Sequence, residues 1–224
     1  MSGVRGGRPG AQALRRGFYE RPTLDVAKDL IGKVLVHDTP GGTASGVIVE
    51  VEAYIGESDP ACHAAPGPTA RNVPLYGPPG FAYVYLNYGI HYLVNAVTEA
   101  KGSPAAVLIR ALEPKDGIPL MRRRRASGTR KRPGELRVPD LCRGPGNLTR
   151  ALGITLRQNC LDLTSSALRI EDQGEPARRV VWSRRIGINV GVEQEWRVTA
   201  ADSHAVSGPR RNGSVNIREP SGRR

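Results

Sequence analysis

The sequence predicts an α+β domain in which a curved, mostly antiparallel sheet carries a few short flanking helices. Segments with a two-residue hydrophobic period are short and closely spaced, and few helical segments lie between them. A doubly wound parallel sheet would need a helix after nearly every strand, which this chain does not supply. The length of 224 residues suits a single domain, and neither a repeat nor a linker divides it.

The first predicted elements are a short helix and two strands. Thr23 is a candidate N-cap for a helix with one apolar face, and Gly32 ends that helix. Strands are predicted over Lys33–His37 and Gly46–Tyr54, with a Gly/Pro-rich turn between them.

The second of these strands, Gly46–Tyr54, has an unusual distribution of side chains. Strict alternation directs three valines to one face and four other residues, Ile48, Glu50, Glu52 and Tyr54, to the opposite face. Two carboxylates would be costly in an apolar core. We therefore expect the glutamate face to border a cleft.

A long loop and a tyrosine-rich hairpin follow. The Pro/Gly-rich segment Glu57–Gly80 has no helical or strand period, and a loop of this length in a compact domain is often functional. Strands are predicted over Phe81–Leu86 and residues 90–98, with Tyr88 at the tip of the turn between them. Five of the seven tyrosines of the chain lie between Tyr76 and Tyr92, so the aromatic surface is concentrated here.

The remaining elements are short. A strand over Ala105–Leu112 places Arg110 among apolar residues, which requires a partner for its charge. Asp116–Arg125 is a candidate helix. Its terminal arginines begin a basic cluster that is interpreted either as a phosphate-contacting loop or as a solvated helix face: Arg122, Arg123, Arg124, Arg125, Arg130, Lys131 and Arg132. Asn147, after a Gly-Pro-Gly turn, is a candidate N-cap. Four short strands are predicted farther on, over residues 167–170, 180–182, 186–189 and 196–199.

The charge of the chain indicates a polyanionic partner. The sequence has 33 Lys+Arg against 21 Asp+Glu, a formal net charge of +12, and only five of the basic residues are lysines. Arginine binds phosphate in a fork and stacks on bases, which favours nucleic acid. An arginine-biased genome is the alternative explanation for this excess.

Cysteine usage and hydropathy set further limits. The three cysteines are scattered, with no C-x-x-C motif and no zinc-ligand spacing, so we expect no metal and no cofactor. No apolar run is long enough to cross a bilayer. We expect a cytoplasmic protein, associated with the nucleoid if the source is bacterial.

Residues 1–16 are expected to form a disordered basic arm, 17–207 the folded domain, and 208–224 a basic tail.

The residue types in the central segment suit acid–base chemistry on a planar ring. Glu52 is a candidate general base with Arg110 as its partner. Tyr54, Tyr85 and His63 could enclose a ring, although strand tyrosines more often serve as sheet or core residues. Tyr88 could insert into a base stack, and together these features indicate base flipping with hydrolysis. Glu50 shares the face of Glu52 and is interpreted as a bystander.

Several ordered blocks extend this interpretation. They are VEVEAYIG with DPACHAAPGPTARN, YGPPGFAYVYLNYGIHYLVN, VLIRALEP, LCRGPGNLTRALGI and RRIGI. With these blocks the sequence resembles the alkyladenine (3-methyladenine) DNA glycosylases, which remove damaged purines in base excision repair. The resemblance covers about residues 18–206.

The resemblance implies a role for each matching position. Glu52 would activate the attacking water, Arg110 would help to position it, and Ile186 would offer a main-chain carbonyl to it. Tyr88 would fill the gap left in the duplex. The pocket for the flipped base would be formed by Tyr54, His63, Tyr85 and Asn95, with Asn95 opposing the exocyclic amino group of normal guanine.

One residue and one segment depart from the family pattern. His91 stands where some relatives have tyrosine, and the C-terminal segment DSHAVSG is more polar than usual.

No lysine lies between Glu52 and Asn95, so a Schiff-base nucleophile is not expected there and the enzyme should be monofunctional, with no lyase step. We expect a monomer acting on double-stranded DNA that contains damaged purines, with no membrane partner.

Two rival functions remain open from the residues alone. A non-enzymatic nucleic-acid-binding protein would explain the charge and the tyrosines, but not an ionisable Glu52–Arg110 pair among apolar strand residues. A hydrolase of free nucleosides would need neither the basic surface nor Tyr88.

Overall fold

A computed structural model of the chain describes residues 11–127, 130 and 132–208. Within these residues, nine strands pair antiparallel throughout and form one curled, half-barrel sheet. The strands are β1 (Gln12–Ala13), β2 (Val34–Thr39), β3 (Gly42–Ile55), β4 (Ala82–Asn87), β5 (His91–Val97), β6 (Ala105–Asp116), β7 (Leu168–Asp172), β8 (Val180–Ser183) and β9 (Arg197–Ala200).

Strand β3 is the centre of the sheet. The strand order is β1-β7-β2-β3-β6-β5-β4, and β9, with β8 on its far side, pairs with β3 beyond the end of β2. At 14 residues β3 is long enough to contact β2, β6 and β9. The glutamates of β3 therefore lie where three other strands meet.

In the described part of the chain, four short α-helices flank the sheet. They are α1 (Arg16–Tyr19), α2 (Thr23–Leu30), α3 (Ile118–Ala126) and α4 (Pro145–Leu152). The main core joins fully buried side chains of α2 and α4, such as Leu30 and Leu148, to sheet residues such as Ile109. The predicted α+β fold class with a curved antiparallel sheet is confirmed.

Two bulges change the faces of β3. The register between β3 and β6 shifts between Ile48 and Glu50, and again between Glu50 and Val51. As a result Ile48 and Val49 both pack into the main core, while Val47 joins a separate small cluster. The strict alternation predicted for this strand is therefore wrong at its N-terminal part, because a bulge inserts an extra residue.

Several sequence-based boundaries need correction. The basic arm expected to be disordered through residue 16 is ordered in part, because Gln12–Ala13 pair with β7 and α1 begins at Arg16; residues 1–10, and 209–224 of the expected tail, lie outside the described residues. Residues 186–189 form a loop and not a strand.

Neither predicted N-cap caps its helix. Thr23 is the first residue of α2, and its hydroxyl contacts Thr98 and Glu99 instead. Asn147 lies inside α4, where its amide donates to the carbonyl of Arg143 at 2.6 Å.

The arginines of α3 serve partly as structural donors. Arg122 donates to the carbonyl of Leu136, and Arg124 donates to the carbonyls of Ala151 and Leu152 at the end of α4. Cations at a helix C-terminus interact favourably with the helix dipole. The predicted basic cluster thus begins as part of a helix pair, and Lys131 lies outside the described residues.

The turn before α3 leads to a prediction about stability. Gly117 has φ +73°, and a Cβ there would lie 2.3 Å from the carbonyl oxygen of Thr43. Gly117→Ala should lower the free energy of unfolding by about 3 kcal/mol or more, because a left-handed conformation and a steric clash act together. Urea denaturation monitored by circular dichroism measures this loss.

Two matched glycines separate the causes. Gly102 has φ +95° with no atom within 4 Å of the added Cβ, so Gly102→Ala should cost only about 1–2 kcal/mol. Gly134 has neither a positive φ nor a neighbour within 4 Å, so Gly134→Ala should be almost neutral. Equal losses at Gly117 and Gly102 would contradict the steric argument.

Candidate active site

A cavity of about 510 Å³ opens between the β4–β5 hairpin, β3, β6 and the N-terminus of α4. Seven of the eight predicted site residues line this cavity: Tyr54, His63, Tyr85, Tyr88, Asn95, Arg110 and Ile186. The eighth, Glu52, is fully buried directly behind the wall. The structure thus brings all eight residues together, although they span 135 positions of sequence.

Three hydrogen-bond donors hold the Glu52 carboxylate. Its Oε2 accepts from Arg110 Nη1 at 3.0 Å and from the Tyr54 hydroxyl at 2.9 Å. Its Oε1 accepts from the main-chain N–H of Ile186 at 2.8 Å. Acceptance from three donors is the pattern of an ionised carboxylate. The prediction that Arg110 pairs with the carboxylate of Glu52 is confirmed.

The position of Ile186 differs in detail from what the resemblance implies. The contact that the structure shows is a hydrogen bond from its main-chain N–H to Glu52. The residue lies in the loop that follows β8, and its neighbours Gly187 and Ile188 also line the cavity. Because the interaction is through the backbone, it depends on the path of this loop and not on the side chain.

Glu50 is the centre of a second layer of ionic contacts. It is fully buried, and its Oε1 accepts from Arg110 Nε at 3.1 Å and from Arg197 Nε at 2.8 Å. Ser207 donates its main-chain N–H to Glu50 at 2.6 Å and its hydroxyl at 2.9 Å. The interpretation of Glu50 as a bystander is therefore wrong for the structure of the site, because Glu50 holds the Nε of Arg110 while Glu52 holds its Nη1.

Arg110 remains charged in this setting. Burial lowers the pKa of Arg110, but the carboxylates of Glu52 and Glu50 outweigh that effect and raise it above its ordinary value. The two carboxylates are compensated by Arg110 and Arg197, so the buried network is close to neutral. Buried charges are tolerated when they are paired and hydrogen-bonded in this way.

An aromatic wall faces this ionic layer. The His63 ring lies 4.4 Å from the Tyr85 ring centroid, and Tyr83 and Tyr85 lie 5.3 Å apart. His63 Nδ1 is 2.9 Å from the Tyr83 hydroxyl. Burial, and then the charge of Arg71, lower the pKa of His63, so this ring is neutral at pH 7. Burial raises the pKa of Tyr83 to about 12.

Tyr54 and Asn95 complete the enclosed part of the cavity. Burial and the nearby Glu52 charge raise the pKa of Tyr54, so its phenol stays protonated and donates to Glu52. The Asn95 amide nitrogen donates to the carbonyl of Tyr83 at 2.9 Å. This bond fixes the orientation of the amide, which lines the cavity.

The β4–β5 hairpin presents Tyr88 to solvent. This tyrosine is 87% exposed, and the turn bond from Ile90 N–H to the Asn87 carbonyl is 3.0 Å. Tyr88 has φ +47° and Gly89 has φ +69°. Positive φ at both central residues matches a type I′ hairpin turn, but it is unfavourable for a tyrosine. Backbone strain of this kind tends to cluster at functional sites.

His91, the departure next to this turn, packs on the start of α4. A Cβ at Gly146 would lie 2.6 Å from His91 Cγ, so only glycine leaves room for this ring. Both His91 and Gly146 line the cavity. The histidine therefore joins the hairpin to α4 at the rim of the site.

Sequence reasoning missed five residues that the site depends on. Glu50, Arg197 and Ser207 form the second ionic layer, and Arg185 and Asp59 form a fully buried ion pair behind Tyr54. Only the position of Glu50 next to Glu52 on the strand face gave any signal. The other four make contacts with residues far away in sequence, where no local pattern connects them.

Neither a metal site nor a membrane span is found in the described part of the chain. No group of three or more His, Cys, Asp or Glu side chains is placed to hold a metal ion there. None of the described helices is long and apolar enough to cross a membrane.

Together the fold and the site define a class of protein. It is a single-domain α+β protein with a buried carboxylate–arginine pair beneath an aromatic cavity, an arrangement suited to acid–base chemistry on a planar ligand. Comparison with known sequences gives the particular family, because the profile described as "Methylpurine-DNA glycosylase (MPG)" matches residues 17–204. The chain therefore belongs to the methylpurine-DNA glycosylase family, whose reaction is the hydrolysis of N-glycosyl bonds in DNA.

Similar proteins occur in bacteria and archaea. The chain is 48% identical to a protein of Rubrobacter xylanophilus over 86% of this chain and 99% of that protein. It is 45% identical to one of Chlorobium phaeobacteroides (88% and 96% covered) and 44% identical to one of Methanocella arvoryzae (87% and 95% covered). All three carry the name "Putative 3-methyladenine DNA glycosylase".

The lowered pKa of His63 leads to a prediction about pH. The unfolded chain titrates this group near pH 6.5, whereas the folded protein binds the proton only at lower pH. The unfolded state then binds more protons, so the free energy of unfolding should fall as pH drops below 6.5, by at most about 1.4 kcal/mol per pH unit for this group. Urea denaturation across this pH range measures the slope.

The variant His63→Asn tests whether His63 causes this pH dependence of the free energy of unfolding. His63→Asn removes the titrating group and keeps a polar atom near the Tyr83 hydroxyl, so its stability should depend less on pH below 6.5. An unchanged slope in His63→Asn would show that His63 does not contribute. Buried His37, whose pKa is also lowered by burial, contributes to the slope that remains in the variant, and carboxylates with a lowered pKa such as Glu113 add to it at more acidic pH.

Proposed function

We propose that this protein is a monofunctional DNA N-glycosylase. It flips alkylated or deaminated purines out of duplex DNA and hydrolyses the N-glycosidic bond, leaving an abasic site for base excision repair. The observation that carries the proposal is the fully buried Glu52, held by Arg110 at 3.0 Å, beneath an aromatic cavity whose rim bears a tyrosine that is 87% exposed.

Duplex binding comes first. Basic residues contact phosphates and orient the protein without reading sequence. Tyr88 then inserts into the base stack, where burial against neighbouring bases compensates for its exposure in the free protein. An inserted side chain of this kind fills the gap that a rotated nucleotide leaves. Gly89 supports the step because it permits the tight turn behind Tyr88.

The flipped base enters the cavity between the aromatic side chains. Stacking on tyrosine or histidine contributes about 1–3 kcal/mol per base and tolerates many purines. Alkylated purines are cationic, and a cation is attracted to the face of an electron-rich ring. His63 is neutral at pH 7, so it adds no repulsion. The fixed Asn95 amide supplies the discrimination against the exocyclic amino group of guanine.

Hydrolysis follows at the anomeric carbon. Glu52 accepts a proton from a water molecule, and the water oxygen forms a bond to that carbon as the N-glycosidic bond breaks. The bonding electron pair passes to the purine nitrogen, which neutralises the positive charge of an alkylated base. Arg110 holds Glu52 and helps to position the water, and the Ile186 backbone fixes the other carboxylate oxygen.

Deaminated purines are neutral and need a proton on the leaving base. Two sources can supply this proton: the imidazolium form of His63, which the lowered pKa makes scarce at neutral pH, and the solvent. Protonation of the leaving base becomes easier as the pH falls, so release of these substrates should rise relative to that of cationic ones at lower pH.

The absence of a lyase step rests on the lining of the cavity. Among the described residues none of the side chains that line it is a lysine. The nucleophile is then water, and no Schiff base with the sugar forms. The product is an intact strand with an abasic site. We expect the enzyme to act as a monomer in the compartment that holds the DNA.

The first prediction from this proposal concerns Glu52. Glu52→Gln should lower single-turnover base release from a duplex with one defined lesion by about 10²–10⁴-fold, because the general base is lost. Duplex binding should persist. Heating the products in alkali converts abasic sites to strand breaks that can be counted on a gel.

A matched control and two outcomes sharpen this test. Glu113→Gln removes a partly buried carboxylate on β6 that pairs with Arg178, away from the cavity, and should leave release unchanged. Tight duplex binding without release by the wild type would support the non-enzymatic alternative. Strand breaks without alkali, or a covalent adduct trapped by borohydride, would contradict the monofunctional mechanism.

A second prediction concerns Tyr88. Tyr88→Ala should lower release from duplex DNA strongly while leaving folding intact, because the side chain is almost fully exposed in the free protein. Leu156→Ala removes another exposed apolar side chain outside the cavity and is the matched control. If Tyr88→Ala retains full activity on duplex DNA and the wild type cleaves free nucleosides equally well, the protein is a nucleoside hydrolase.

A further inference from the structure

Arg185 forms an ion pair in the interior of the protein beside the site. Its guanidinium makes two hydrogen bonds to the Asp59 carboxylate, at 2.6 and 2.8 Å, and both side chains are fully buried. The same guanidinium donates to the carbonyls of Ala53 at 3.1 Å and of Gly191 at 3.0 Å. It is therefore fixed by three separate segments of the chain.

Two aromatic rings lie against this guanidinium. Its carbon is 4.7 Å from the Tyr54 ring centroid and 5.1 Å from that of Trp196. Tyr54 lines the cavity whereas Arg185 does not. The guanidinium thus lies behind Tyr54 and supports this ring from the side away from the cavity.

Both oxygens of Glu52 depend on this arrangement. Oε2 accepts from the hydroxyl of Tyr54, the ring that Arg185 supports. Oε1 accepts from the main-chain N–H of Ile186, the residue that follows Arg185 in the chain. A displacement of the guanidinium would therefore move a donor on each side of the carboxylate.

Asp59 extends the connection to the long loop of the cavity. Its carboxylate also accepts from the main-chain N–H groups of Ile55 at 3.3 Å and Ala61 at 3.1 Å. These bonds fix the start of the segment that carries His63. One ion pair thus joins the loop after β8 to the loop after β3.

We propose that Arg185, held by Asp59, is a positioning residue for the hydrolysis: it sets the orientation of the Glu52 carboxylate through Ile186 and Tyr54. This inference rests on the proposed function. Neither member of the pair lines the cavity, so its effect should fall on the chemical step and not on duplex binding. Lysine cannot replace arginine here, because its ammonium lacks the planar fork that matches a carboxylate and stacks on rings.

The test uses the full chain with three variants. Arg185→Lys keeps the charge but loses the fork. Arg185→Met/Asp59→Asn removes both charges, so neither is left buried without a partner and the variant is the more tolerant of folding. The control, Arg169→Met/Asp38→Asn, removes an Arg–Asp pair between β2 and β7, away from the cavity.

Single-turnover release with enzyme in excess separates positioning from stability. The maximal rate constant reports on each folded molecule, whereas an unfolded fraction only raises the apparent half-saturating enzyme concentration. We expect the maximal rate constant to fall about 100-fold in both Arg185 variants, as small misplacements of reacting groups can cost. The half-saturating concentration, corrected for the folded fraction, should stay constant because phosphate contacts set it.

Each outcome decides a separate question. Wild-type release with a lowered maximal rate constant in both Arg185 variants, and none in the control, supports the positioning role. A higher half-saturating concentration or a lower Tm with an unchanged maximal rate constant would show that the pair is merely structural and overturn this inference alone. No release by the wild type on any lesion would overturn the proposed function, and the inference with it.

Discussion

The burial of Glu52 is the constraint on which the rest of this structure depends. A carboxylate removed from water is costly unless charged and hydrogen-bonding partners surround it. Here the partners come from β6 through Arg110, from β3 itself through Tyr54, and from the loop after β8 through Ile186. Because Arg110 and Ile186 lie far from Glu52 in sequence, the carboxylate gains its full set of donors only once the whole sheet has assembled. The arrangement of the site therefore depends on the complete sheet.

The second carboxylate explains why the C-terminal end of the described chain belongs to the site. Glu50 takes Arg110 and Arg197 on one oxygen and Ser207 on both. Arg197 in turn donates to the carbonyl of Ser207 at 2.8 Å. Ser207 lies within the polar segment that departs from the family pattern, and this departure leaves its contacts to the glutamate intact. The bulges of β3 and β6 allow these charged residues to share one interior layer while their neighbours pack into the core.

Local patterns predicted the parts of this molecule whose causes are local. Alternating apolar residues predicted most strands, and an arginine inside an apolar strand predicted a carboxylate partner for Arg110. The bulge at Ile48 was not predictable, since it arises from the pairing with β6. Glu50 was misinterpreted because its structural role depends on contacts with Arg197 and Ser207, which lie about 150 residues away. The pair of Arg185 with Asp59 was missed for the same reason, since these two residues are also far apart in sequence. The roles of Asn95 and Ile186 came from resemblance alone, and they stay predictions.

The site divides into an exposed part and a buried part, and their physical demands are opposite. Glu52 and its donors gain from exclusion of water, which strengthens electrostatic interactions. Tyr88 is exposed at a strained φ, an arrangement that is unfavourable for an isolated protein and favourable only if a partner buries the ring. The β4–β5 hairpin links the two parts, since Tyr85 on β4 lines the cavity and Tyr88 lies three residues farther on. A short, antiparallel hairpin fixes the separation between the exposed Tyr88 and the aromatic cavity. Rotation of one nucleotide out of the duplex would then place its base in the cavity and let Tyr88 fill the gap. The proposed substrate is for this reason a base within a duplex and not a free nucleoside.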